Sequence, residues 1–182
     1  MSVDEAQWAS PDLQTLVDLF YDDPSCLGQF QEVKGDTLPQ PYRELLDHSA
    51  HMTVTVERFH GGLVNVEVVD VHETATHYSR QILLRRQSDN AVVQYGIVRL
   101  NLSFLPEHVQ REIRAQKTPL GRVLIEHQVL RNVKLLTLWR VQPGAALKKL
   151  LARPELETCY GRTALIYCNG VPAVELLEIV VV

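Results

Sequence analysis

Charge set into stretches that otherwise read as buried strand is where this sequence could do chemistry. Arg80 lies in Tyr78-Ser79-Arg80-Gln81-Ile82-Leu83-Leu84, and strand alternation puts it on one face with Ile82 and Leu84. If that face is the core, the guanidinium needs an anion: an unpaired buried cation is costly, whereas a planar carboxylate takes two of its N–H groups at once. If the Leu83 face is the apolar one, Arg80 is solvated, and the pattern alone serves both readings equally. Glu175 raises the same question, because alternation groups it with Leu177, Ile179 and Val181. Among apolar neighbours it would be a general acid or base, or an acceptor for a ligand hydroxyl. The plainer reading, which the residues alone favour, is a salt bridge to Arg80, Arg99 or Arg140. Thr118-Pro119-Leu120-Gly121-Arg122 combines a proline suited to a helix start with a glycine that permits close approach, and N–H groups at a helix start can hold a carboxylate.

Several kinds of chemistry lack their usual signatures. There is no Gly-x-x-x-x-Gly-Lys-Ser/Thr, Gly-x-Gly-x-x-Gly, Gly-x-Ser-x-Gly or His-Glu-x-x-His. His48 and His51 stand three apart without a third ligand at a telling spacing, so they read as capping or loop histidines rather than metal ligands. Cys26, Cys159 and Cys168 suit free, mostly buried thiols. With 18 basic and 22 acidic residues spread along the chain and a net charge of -4, neither nucleic acid nor an anionic membrane is an expected partner. No signal-like N-terminus or apolar run of membrane-spanning length is seen, so a cytoplasmic protein without membrane insertion is expected.

The 182 residues, 46% hydrophobic, suit one domain, 1–182, in which residues 1–40 form an N-terminal extension packed on the rest. Ser10-Pro11-Asp12 signals a helix carrying Leu13, Leu16, Val17 and Phe20, and Gly28 to Gln40 reads as a loop leading to a helix over Pro41 to Asp47. Thr53 to Phe59 and Val64 to Val71 read as strands joined by a turn at His60-Gly61-Gly62-Leu63. Strands at Tyr78 to Arg86 and Ala91 to Leu102 follow, then helices from Pro106 and Pro119, a strand over Lys134 to Val141 and a helix over Gly144 to Ala152. Arg162 to Cys168 and Val171 to Val182 flank Asn169-Gly170, the clearest hairpin signal in the chain. The fold class expected is α+β: a single domain with a six- to seven-stranded antiparallel sheet, and helices inserted between hairpins covering one of its faces.

Four segments, in order, resemble the chorismate pyruvate-lyase family: Asp47-His48-Ser49-Ala50-His51-Met52-Thr53, Ser79-Arg80-Gln81-Ile82-Leu83-Leu84, Thr118-Pro119-Leu120-Gly121-Arg122-Val123-Leu124 and Val174-Glu175-Leu176-Leu177. The likeness begins near Tyr42 and runs to the C-terminus. With its His-Met-Thr and Tyr95-Gly96-Ile97-Val98 segments, the chain is most similar to the divergent branch of archaea and cyanobacteria. The resemblance implies a chorismate lyase-like sheet with the ligand enclosed beneath helical flaps and no metal or organic cofactor. It implies that Arg80 and the backbone N–H groups of Met52 and Leu120 hold a ring carboxylate. Glu175 would meet the 4-hydroxyl or accept a proton.

The reaction so implied is elimination of pyruvate from chorismate, with loss of the ring C4 proton, to give 4-hydroxybenzoate, in the family's usual setting a quinone precursor. Substrate and product would be the small-molecule partners of a monomer or homodimer. Where the better-known bacterial branch reads Gly-Arg-Thr, this chain reads Gly96-Ile97-Val98-Arg99, and Arg99 is expected to reach the substrate's second carboxylate. The same fold serves as an effector-binding domain in transcriptional regulators. The alternatives are therefore a non-catalytic binding protein or sensor for an aromatic carboxylate, or a lyase giving another hydroxybenzoate. The absence of a basic recognition helix before Tyr42 favours the enzyme.

Overall fold

The computed structural model describes residues 12–182, so the helix signal at Ser10 and Pro11 lies outside the described residues. Its elements in chain order are α1 (Leu13–Asp18), β1 (Gly28–Val33), α2 (Tyr42–Leu46), α3 (Met52–His60), β2 (Val64–Glu73), β3 (Tyr78–Arg86), β4 (Val92–Leu100), α4 (Glu107–Ala115), α5 (Leu120–Glu126), β5 (Leu130–Pro143), α6 (Ala145–Leu150), β6 (Cys159–Cys168) and β7 (Val171–Val180). The strands form one sheet in the order β1-β5-β6-β7-β4-β3-β2, with every neighbouring pair antiparallel. This is the α+β class expected. At the β6–β7 hairpin, Asn169 (φ 51) and Gly170 (φ 81) both take the left-handed conformation that a two-residue turn between right-twisted strands demands. Asp12 caps α1, its side chain accepting from the N–H of Gln14.

Two segments depart from the expected pattern. Thr53 to Phe59 reads as strand because it is rich in β-branched residues, yet it lies within α3. Helical spacing buries Met52, Thr53 and Val56 together, and Thr55 Oγ1 donates to the His51 carbonyl at 2.9 Å, so its hydroxyl is satisfied inside the helix. The glycines taken for a hairpin turn end this helix instead: Gly61 sits at φ 67, and the N–H groups of Gly61 and Gly62 return to the carbonyls of Arg58 and Glu57. Strand β2 pairs with β3, leaving the tertiary structure free to override a weak β preference.

The second departure is β1, in a segment that reads as a loop. It is an edge strand on β5, half-exposed and polar at Gln29, Gln31 and Glu32, with Phe30 edge-on to Trp139 at a centroid distance of 6.2 Å.

Helices cover both faces of the sheet, not one. Leu16 and Val17 of α1 and Leu147 of α6 pack with Leu83, Tyr95, Ile97, Leu177 and Ile179 on one side. On the other side α4 and α5 contribute Val109, Ile113, Leu120 and Leu124 over Val98 and Leu176, and α2 and α3 contribute Leu46, Met52 and Val56 over Ile82 and Leu84. Strands β3, β4 and β7 are consequently buried on both faces over most of their lengths. All three cysteines are free, Cys26 exposed and the other two buried. No helix among the described residues is long and apolar enough to cross a membrane.

Candidate functional site

A chamber lies between the sheet and the starts of α3 and α5. Its floor is made by residues of β2, β3, β4, β5, β6 and β7, and its roof includes His51, Met52, Thr53, Leu120 and Gly121. Gly121 lets the two helix starts meet: a Cβ there would stand 3.0 Å from Thr53 Oγ1. Neither N-terminus is capped by a side chain. Arg122 of α5 also forms an ion pair with Glu57 of α3, whose carboxylate accepts from the N–H of Val64 at 3.1 Å, tying both roof helices to the sheet edge.

The face carrying Ile82 and Leu84 is the chamber face, so Arg80 is core. It is 1% exposed, lines the chamber and makes no ion pair among the described residues. Its contact from Nη1 to the Ile113 carbonyl is long, 3.4 Å, and Nε has no partner among the described residues. Burial pushes its pKa down, partly offset by the neighbouring Tyr78 hydroxyl. Arginine nonetheless remains a cation in proteins, so this is a desolvated charge without a counter-ion.

Met52 and Leu120 are each the first residue of a helix and each line the chamber with Arg80. Glu175 and Arg99 do not. They are opposite each other on β7 and β4 and form an ion pair at 2.9 Å, both side chains roughly a quarter exposed. Alternation groups Glu175 with Leu177 and Ile179, and Arg99 with Ile97 and Tyr95, all of which pack against α1 and α6 on the far face of the sheet. The expectation that Glu175 and Arg99 meet the ligand beside Arg80 is therefore corrected. Their contact is the cross-strand salt bridge of the plainer reading.

The carboxylate in the chamber is Glu178, three residues along β7 and of opposite parity. Its Oε2 accepts from Arg162 Nε at 2.8 Å; the two are opposite each other on β7 and β6, and Arg162 is 1% exposed. The rest of that guanidinium is turned to the loop ahead of α3. Nη1 donates to the His48 carbonyl at 2.8 Å and Nη2 to the Ala50 carbonyl at 3.1 Å. In the same loop, His48 Nε2 lies 2.7 Å from the Leu45 carbonyl and must carry the proton, leaving Nδ1 to accept from the Ala50 N–H at 3.0 Å. Burial first, with the Arg162 charge assisting, pushes the His48 pKa down. Burial does the same to His51, where Glu178 opposes it. Sequence reasoning passed over Glu178 and Arg162; the signal available was that Glu178 shares a face with Val174 and Leu176.

Gln94 also belongs to the chamber. It is 4% exposed, and its Oε1 accepts no hydrogen bond. Of the three buried side-chain atoms without a partner among the described residues, two, Arg80 Nε and Gln94 Oε1, line this one cavity. Its charge is unbalanced: two guanidiniums, Arg80 and Arg162, face one carboxylate, Glu178. No group of three or more potential metal ligands occurs among the described residues.

No family model matches the chain, and no curated protein does. Among solved structures, PhnF from Mycobacterium smegmatis is similar with a TM-score of 0.56 at 13% identity, over 72% of this chain and 63% of that one. The C-terminal domain of the histidine utilization repressor from Pseudomonas syringae pv. tomato str. DC3000 is similar with a TM-score of 0.49 at 16% identity, over 64% of this chain and 90% of that one. The match thus spans less than two thirds of PhnF. At this identity the likeness to PhnF is one of fold.

Proposed function

We propose that this chain is a binding domain for a small aromatic monocarboxylate, with the carboxylate on Arg80 and the ring between the sheet and the starts of α3 and α5. The observation that carries the reading is the buried Arg80 guanidinium, which has no counter-ion among the described residues and lines a cavity bounded by helix starts. One unbalanced positive charge suits one carboxylate. Chorismate is a dianion, and Arg99, expected to take its second carboxylate, is on the other face of the sheet, paired with Glu175. The Arg162 guanidinium is already held by Glu178 and loop carbonyls.

The free volume of the chamber is about 40 Å³, well below the roughly 150 Å³ cavity that admits benzene in an engineered protein core. Binding a ring therefore requires α3 and α5 to part, and the experiment follows from that. Titration of 4-hydroxybenzoate into the protein should give a saturable calorimetric signal and slow amide exchange at the starts of both helices. No heat and no change in exchange at concentrations up to the millimolar range would reject the proposal.

Chorismate lyase activity is the second reading, and Glu178 favours it: the residue supplies within the chamber the carboxylate that the resemblance assigned to Glu175. In that case Glu178 takes the ring C4 proton while the ether C–O bond breaks, the electron pair of the C–H bond forms the ring double bond, and the enolpyruvyl group leaves as the enolate, which regains a proton on carbon to become pyruvate. Incubation with chorismate, following pyruvate and 4-hydroxybenzoate, decides between the two. Product formation proportional to protein supports the lyase, and binding without turnover leaves the binding domain.

A further inference from the structure

We infer that Gln94 and Glu178 read the end of the ligand opposite its carboxylate, and that this end carries two neighbouring hydrogen-bond donors, as in 3,4-dihydroxybenzoate. The inference rests on the binding reading above and adds the ligand's chemical class.

The sheet register lays the chamber out along the strands. Arg80 is opposite Val98 on β4, which is opposite Leu176 on β7. Two residues along comes the row Ile82, Gly96, Glu178, and two further the row Leu84, Gln94, Val180. From the Arg80 row to the Gln94 row is four residues, about 14 Å of backbone at roughly 3.4 Å per residue. An arginine side chain, an aromatic ring and a glutamine side chain fill such a span. An anion held by Arg80 at one end thus points its far substituents toward Gln94 and Glu178.

Glu178 accepts hydrogen bonds, and Gln94 offers its amide oxygen as an acceptor beside its own N–H donors. They are diagonal neighbours on adjacent strands, with β-carbons about 7 Å apart or less in such a pair. Glu178 lines the chamber with its Oε2 accepting from Arg162, while Gln94 Oε1 is buried and has no partner among the described residues. A carbonyl oxygen left without a partner costs stability, and a donor brought by a ligand would relieve that cost. The neighbouring Glu178 carboxylate determines what the partner is. It repels an anionic or acceptor-rich end and welcomes O–H or N–H groups. Apolar Leu84, Val66 and Met52 line the chamber beside the pair.

The test is a ladder of ligands against two proteins. Affinities of benzoate, 4-hydroxybenzoate and 3,4-dihydroxybenzoate are measured by calorimetry with the natural protein and with Gln94→Met, and both free proteins are melted. The natural protein should gain about tenfold with each added hydroxyl. In Gln94→Met the last step should vanish, and the free variant should melt about 2 °C higher or more, because the unpartnered oxygen is gone. An unchanged ladder in the variant, or a variant that melts lower and binds all three ligands as the natural protein does, overturns the inference and leaves the carboxylate reading standing. If none of the three binds the natural protein, the carboxylate reading itself fails, and this inference with it.

Discussion

Replacing Arg80 by methionine should make the free protein more stable and nearly abolish its binding of carboxylates. Arg80 is 1% exposed, pairs with no carboxylate among the described residues, and makes a long 3.4 Å contact to the Ile113 carbonyl. That carbonyl also accepts from the N–H of Gln116 at 3.2 Å, so truncation does not orphan it. Removing a buried polar group that lacks a partner recovers about 1–3 kcal/mol of desolvation cost, and methionine keeps most of the packed volume. In a chain of this size that is about 2–4 °C of melting temperature per kcal/mol. For binding, a carboxylate 4 Å from the guanidinium gains about 4 kcal/mol at an effective dielectric constant near 20, roughly a thousandfold in Kd. Urea denaturation of the free proteins and calorimetry with 4-hydroxybenzoate measure the two effects. A variant that is less stable than the natural protein, yet binds with undiminished affinity, would show Arg80 to be a structural cation and refute the reasoning.

Two further outcomes follow from the same geometry. The two glutamates of β7 should behave oppositely. Glu175→Gln loosens a part-exposed pair and should cost under about 1 kcal/mol, with carboxylate binding unchanged; Glu178→Gln strands the buried Arg162 guanidinium and should cost about 3–5 kcal/mol in a denaturant titration. Equal costs would mean that the two faces of the sheet are assigned wrongly. Stability should also fall as the pH drops below about 6.5, the ordinary histidine value. His48 and His51 are held below that value chiefly by burial, so in this window the unfolded chain binds more protons than the folded one and acid favours unfolding. The loss is complete once the pH passes their lowered folded values. Urea midpoints measured from about pH 7.5 down to about pH 5.5 should decline, and a His48→Asn, His51→Asn double variant should flatten the slope.

Where information in the chain is local, it was legible. Asn169-Gly170 needs two left-handed residues, which few sequences other than Asn-Gly tolerate, so the β6–β7 hairpin could be read directly. Pro106 and Pro119 marked the starts of α4 and α5 through their fixed φ. Arg80 stood out as a cation in an apolar strand, with Met52 and Leu120 beside it by resemblance, and the fold brings these three together.

What the sequence could not decide by itself was which side of each strand faces the chamber. Alternation sorts residues into two sets, and where one face of a sheet is wet the polar set identifies it. Here β3, β4 and β7 are buried on both faces, so alternation puts Glu175 in one set and Glu178 in the other without saying which set faces the chamber. Only the packing of α1 and α6 on one face and α3, α4 and α5 on the other gives Glu178 to the chamber and Glu175 to Arg99. The same holds for α3: β-branched side chains at Thr53 to Val56 favour a strand only weakly, and burying Met52, Thr53 and Val56 over the sheet outweighs that preference. Local conformation was written in the residues, whereas the orientation of charge followed from long-range burial, which depends on every helix at once.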